Sequence, residues 1–145
     1  MTTQVTNRKA GHDYEILEHF NAGLELSGME VKSIRAGLIS LVGSYIVVRG
    51  GEAYLMNANI QAFQPKNAPQ DYDPVRARRI LLTKAEIEKL SGAESSTGLT
   101  IVPISVYNKG RFLKLDLAIA RGKKKFDKRQ AIKKRDAERD LKRTL

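Results

Sequence analysis

The chain has 145 residues and no cysteine or tryptophan; histidine occurs twice, proline four times, and aromatic residues make up only 6% of it. Without cysteine there is no disulfide, no thiolate metal site and no thiol nucleophile, so a reducing cytoplasm is the expected location. Long apolar stretches are missing too. The longest runs of branched aliphatic residues, Ile46 to Val48 and Ile80 to Leu82, are three residues each. That is far short of a signal-peptide core or a membrane span, so neither secretion nor membrane insertion is expected.

The chemistry of catalysis is also thin. His12 and His19 stand seven positions apart, which puts them on opposite sides of an extended segment and gives no zinc-binding helical spacing. Gly122, Lys123 and Lys124 match the end of a phosphate-binding loop only superficially: Leu117 stands where its first glycine belongs, and Lys124 where its Ser or Thr belongs. The carboxylates are scattered along the chain. The expectation is a protein that is not an enzyme and uses neither metal nor cofactor. A nuclease, the enzyme class that a basic chain suggests, requires clustered acidic ligands.

What the sequence does have is positive charge. Lys and Arg number 26 against 16 Asp and Glu, a formal net charge of +10, which implies a polyanionic partner, nucleic acid first and an anionic membrane surface second. Residues 121–145 carry twelve basic and four acidic side chains, a net +8, whereas residues 1–120 carry fourteen and twelve, a net +2. The predicted organisation is a nearly neutral body, residues 1–121, with enough apolar material for one core, followed by a basic tail, residues 122–145. The tail has no Gly or Pro after Gly122, but Ala131, Ile132, Ala137, Leu141 and Leu145 form no single stripe. It is expected to be disordered alone and helical against a polyanion.

Within the body, Leu113, Leu115, Leu117 and Ile119 alternate with Lys114, Asp116 and Ala118, the pattern of a strand with one wet face. Leu99 to Tyr107 precedes it, joined through Asn108, Lys109 and Gly110, and a second hairpin turns at Gly50 and Gly51 between Ser44–Arg49 and Glu52–Asn57. Pro103 within a strand pattern predicts an edge or a bulge. An earlier strand over Tyr14 to Phe20 has Tyr14, Ile16 and Phe20 on one side, and a short one lies near Leu24 to Leu26. Ser27 with Glu30 and Thr83 with Glu86 are capping boxes opening two helices, with Gly37 and Gly92 as stops. The fold class expected is mainly β with small α-helices: an oligonucleotide-binding-type, closed or partly closed antiparallel barrel of about six strands.

The basic residues mark candidate contacts. Arg8 and Lys9 sit beside His12 and Tyr14 at the start of the first strand, joining cations to stacking-capable rings; a solvated N-terminal arm has the same composition. Arg76 and Arg78 share a face if extended, either to clamp a phosphate backbone or to border a barrel mouth. Lys32 and Arg35 lie on the helix side that packing does not require, while Glu30 is explained as the reciprocal cap of Ser27. In the tail, Lys123 to Lys125, Lys128 and Arg129 flank Phe126 and Asp127, a mix suited to phosphate contact with base stacking.

The stretches Asn7 to Ile16, Ala22 to Gly37, Gly51 to Ile60, Arg76 to Ile87 and Ala118 to Asp136 together resemble, in order, the small protein B family, the SsrA-binding proteins of bacterial trans-translation. The resemblance implies a barrel that binds the tRNA-like domain of transfer-messenger RNA and a tail that acts in the decoding centre. The partners it implies are that RNA, the small ribosomal subunit and the stalled 70S ribosome, with elongation factor Tu and alanyl-tRNA synthetase joined through the RNA, and the protein itself a monomer. Carried over by position, Asn7, Arg8, Lys9, His12, Tyr14, Glu30, Lys32, Arg35 and Leu81 fall at the RNA-binding face. Gly122, Lys123, Lys124, Phe126, Asp127, Lys128, Arg129, Ile132, Lys133 and Arg135 fall in the ribosome-binding tail signature. Asn21, Thr83, Asn108 and Phe126 depart from the residues usual in the family. A general single-strand RNA-binding or ribosomal protein on the same barrel is the alternative reading.

Overall fold

A computed structural model describes residues 2–122. In chain order these form β1 (Thr2–Thr6), α1 (Arg8–Asp13), β2 (Tyr14–Leu24), α2 (Gly28–Arg35), β3 (Ile39–Ser40), β4 (Tyr45–Arg49), β5 (Glu52–Met56), β6 (Asn59–Ile60), a 3-10 turn (Pro65–Asn67), β7 (Arg78–Leu81), α3 (Lys84–Ser95), β8 (Leu99–Lys109) and β9 (Phe112–Gly122). Seven strands make one antiparallel sheet in the order β1-β8-β9-β2-β7-β5-β4, and β3 pairs with β6. The sheet curls until β4 approaches β8 without pairing with it, so the barrel is partly closed along an open seam.

The hairpins follow from their turn residues. Gly50 and Gly51 both have positive φ, +59° and +75°, the type I′ requirement that matches the twist of β4 and β5. The β8–β9 turn is tighter than expected: Lys109 pairs with Phe112, leaving the two residues Gly110 and Arg111 to turn, with only Gly110 at positive φ. Pro103 does sit beside a bulge, between Pro103 and Ser105, as a residue without an N–H requires.

Both capping boxes are present, with Ser27 and Thr83 each accepting from the amide of the glutamate three residues on. The α2 helix ends in a Schellman arrangement: Leu38 N–H donates to Ser33 O and Gly37 N–H to Ile34 O, with Gly37 at φ +80°. Gly92, in contrast, does not stop α3, which runs on to Ser95. Burial of Ile87, Leu90 and Ala93 on one face offsets the roughly 1 kcal/mol that a mid-helix glycine costs.

Among the described residues nine strands replace the expected six or so, because β3 and β6 are only two residues each, β7 is only four, and β1 has no apolar alternation to announce it. No separate strand lies at Leu24 to Leu26; β2 runs unbroken from Tyr14 to Leu24. A bulge between Ile16 and Glu18 inverts its faces. Tyr14 and Ile16 therefore pack outside the barrel with Ala10, Val102, Ala118 and Ala120, whereas Phe20, Ala22 and Leu24 join the main core with Ile34, Leu55, Ile80, Leu90, Leu115 and Leu117. Residues Arg8 to Asp13 are helical, not extended, and Gly122 is the last residue of β9, paired with Tyr14, instead of the first of a tail.

Candidate nucleic-acid interface

The outer face of β2, β9 and β8 is one continuous surface. Because Leu113, Leu115 and Leu117 point into the barrel, Phe112, Lys114 and Asp116 point outward, and the register sets Tyr107 beside Lys114 and Asn21 beside Asp116. At one end α1 lies across it, seated by Ala10, which is buried against Val102, Ala118 and Ala120. Eight residues along β9, at about 3.3 Å each, put Phe112 roughly 26 Å away at the other end.

The α1 end holds five of the expected residues. Asn7 is a latch, its N–H donating to Ile104 O at 2.7 Å and its Nδ2 to Pro103 O at 2.9 Å. Arg8, Lys9 and His12 are exposed, and His12 Nδ1 lies 3.2 Å from Asp13 Oδ1. Beneath them a cavity of about 350 Å³ opens in the seam, lined by Lys9, Tyr14, Val42, Tyr45 and the Thr100–Pro103 segment of β8.

In the middle of the face, His19 Nδ1 and Asp116 Oδ1 are 3.0 Å apart, and Tyr107 donates its hydroxyl to Asn21 Oδ1 at 2.9 Å. Burial, and then the charge of Asp116, raise the Tyr107 hydroxyl above its ordinary pKa. At the far end Lys32 and Arg35 are exposed on α2, and Arg35 Nη2 donates to Arg111 O at 2.6 Å, tying the helix to the hairpin tip. Leu81, 44% exposed, lies over Gly23, where a Cβ would sit 3.3 Å from its Cδ1.

Glu30 is placed differently. It is fully buried, and its two oxygens accept from Ser27 N–H, from Arg76, and from Nε and Nη2 of Arg78 at 2.9 and 2.6 Å. Burial alone would raise its carboxyl, but hydrogen bonds from Arg76, the Ser27 amide and Arg78, with the charge of Arg78, hold it down to about 2. Arg78 is itself 0% exposed and donates further to Ala58 O and Pro74 O. It is therefore not available to clamp phosphate; the guanidinium pins the loop after Pro65 to the barrel, and Arg76 alone of the pair reaches solvent.

Of the expected site residues, the structure brings Asn7, Arg8, Lys9, His12 and Tyr14 together at one end, and places Lys32 and Arg35 at the other. Lys123, Lys124, Phe126, Asp127, Lys128, Arg129, Ile132, Lys133 and Arg135 lie outside the described residues. Sequence reasoning passed over Tyr107, Lys109, Arg111, Phe112 and Lys114, although the alternation that put leucines inside β9 had already turned Phe112 and Lys114 outward. Among the described residues, no three His, Asp or Glu side chains group as metal ligands, and no helix is long and apolar enough to cross a membrane.

A family model described as SmpB protein matches residues 4–145. The chain belongs to that family. The SsrA-binding protein of Chloroflexus aggregans is 48% identical over 139 residues, covering 96% of this chain and 88% of the relative. That of Gloeobacter violaceus is 48% identical over 141 residues, covering 97% and 92%. A chain of a solved structure described as "tmRNA-SmpB: a journey to the center of the bacterial ribosome" is 44% identical, with a TM-score of 0.69 over 83% of this chain and 85% of that one. The family resemblance read from the five sequence stretches is thus borne out across body and tail together.

Proposed function

We propose that this chain is an RNA-binding adaptor of trans-translation: it binds the tRNA-like domain of transfer-messenger RNA and delivers it to ribosomes stalled on messages without a stop codon, catalysing no reaction itself. What carries the reading is the extent of the family match, from residue 4 to the end of the basic tail. The geometry supports it. A face with cations at both ends and aromatic and amide groups between them suits a folded RNA contacted by shape and phosphate more than by base sequence.

On this reading the protein works as a cytoplasmic monomer in two parts. The barrel holds the RNA, and the tail that follows Gly122 enters the decoding centre of the small subunit and becomes helical there. Elongation factor Tu and alanyl-tRNA synthetase join the same complex through the RNA. The test is a pair of variants. His12→Ala with Lys32→Ala weakens binding of transfer-messenger RNA in a gel-shift titration. Asp127, Lys128 and Arg129 all changed to Ala spare that binding and abolish peptide tagging on stalled ribosomes. Equal loss of RNA affinity in both would refute the division of labour. Full competition by generic single-stranded RNA would instead favour a general RNA-binding protein.

A further inference from the structure

We infer that the hairpin end of the outer face is a stacking site for one unpaired RNA base, with the Phe112 ring as its platform. This rests on the proposed function for RNA as the partner and adds where and how one of its bases is held.

Phe112 is 67% exposed, more than any other aromatic among the described residues, and its neighbour Leu113, not Phe112, serves the core. A hairpin tip does not need an aromatic there, because Gly110 makes the turn and Arg35 already ties the tip to α2 through Arg111 O. The surroundings are cationic. Lys114 Nζ lies 5.9 Å from the Phe112 ring centroid, Lys109 is its cross-strand partner, and Arg111 precedes it. Asp116, farther along the strand, sits against His19.

An apolar protein partner would have to desolvate those charges. A nucleotide uses both features: its base offers a π face to the ring and its phosphate meets Arg111 or Lys109. The base must be unpaired, since one ring standing on a sheet cannot reach a base face inside a duplex.

The chain contains no tryptophan, so Phe112→Trp in the full-length protein supplies a single reporter. With the tRNA-like domain of transfer-messenger RNA as probe, its emission is expected to be quenched at saturation. Phe112→Ala and Phe112→Leu should weaken binding about tenfold at fixed salt, while Phe112→Tyr stays within about twofold. The slope of log affinity against log salt should be unchanged by Phe112→Ala and reduced by about one by Arg111→Ala. Unchanged Trp emission at saturation, or a Leu variant that binds as the unaltered chain does, would overturn the stacking site alone. Failure of the unaltered chain to bind this RNA would overturn the proposed function and the stacking site with it.

Discussion

Replacing Glu30 by Gln removes one negative charge from a buried point that holds two guanidinium groups, one of them 0% exposed. The cap survives, since the Gln oxygen still accepts from Ser27 N–H; the charge balance around Arg78 does not. Two routes give the magnitude. The Glu30 carboxyl moves from 4.5 to about 2 on folding, which at 1.36 kcal/mol per unit is about 3 kcal/mol of stability at neutral pH. Breaking a buried ion pair from one side costs about 3–5 kcal/mol, mainly because the remaining charge is stranded. Urea denaturation should therefore show Glu30→Gln destabilised by about 3 kcal/mol. The pH dependence follows from the lowered value. Above about pH 4.5 the contribution is complete; it declines as the unfolded chain takes up the proton first and is gone once pH has fallen through about 2. The variant should lack that decline. A neutral-pH difference below about 0.5 kcal/mol, or parallel loss of stability in both proteins from pH 4.5 to 2, would refute the reasoning. Glu30→Leu with Arg78→Met, which removes both buried charges, should recover much of the loss.

Gly50→Ala should cost about 1 kcal/mol in thermal unfolding, purely through the positive φ, because no atom lies within 4 Å of the added Cβ; Gly50→Asn should cost less. Glu94→Ala strands the outward Val48 N–H of β4, which Glu94 Oε2 now accepts at 2.8 Å. We expect a loss of about 1–2 kcal/mol and, by light scattering, association through the opened edge. Arg8→Ala with Lys9→Ala should flatten the salt dependence of transfer-messenger RNA binding, whereas removing residues 123–145 should leave that slope nearly unchanged, as read from affinities at several salt concentrations.

Local chemistry made much of the fold legible. Ser27 with Glu30, Thr83 with Glu86, the Gly50–Gly51 turn and the Pro103 bulge each rest on short-range rules, and each is found where the residues predict it. The misreadings came where distant contacts decide. Arg8–Asp13 has no side-chain cap and contains Gly11, so nothing local announces a helix; burial of Ala10 on β8 and β9 holds it. Arg78 looks like any surface arginine until Glu30, 48 positions earlier, is brought beside it. The candidate site was half visible for the same reason. The cations of α1 and α2 stand out in sequence, but their alignment at the two ends of one face is a product of strand order.

The bulge in β2 also governs how this chain can vary. Leu17 belongs to neither core cluster and is 44% exposed, so many side chains would serve there. Its presence, however, sets the parity of everything before it. Deleting it would turn Tyr14 and Ile16 to the opposite side of the sheet and pull the ground from under α1. The position is thus free in kind and fixed in number, tolerant of nearly any replacement and intolerant of a one-residue gap.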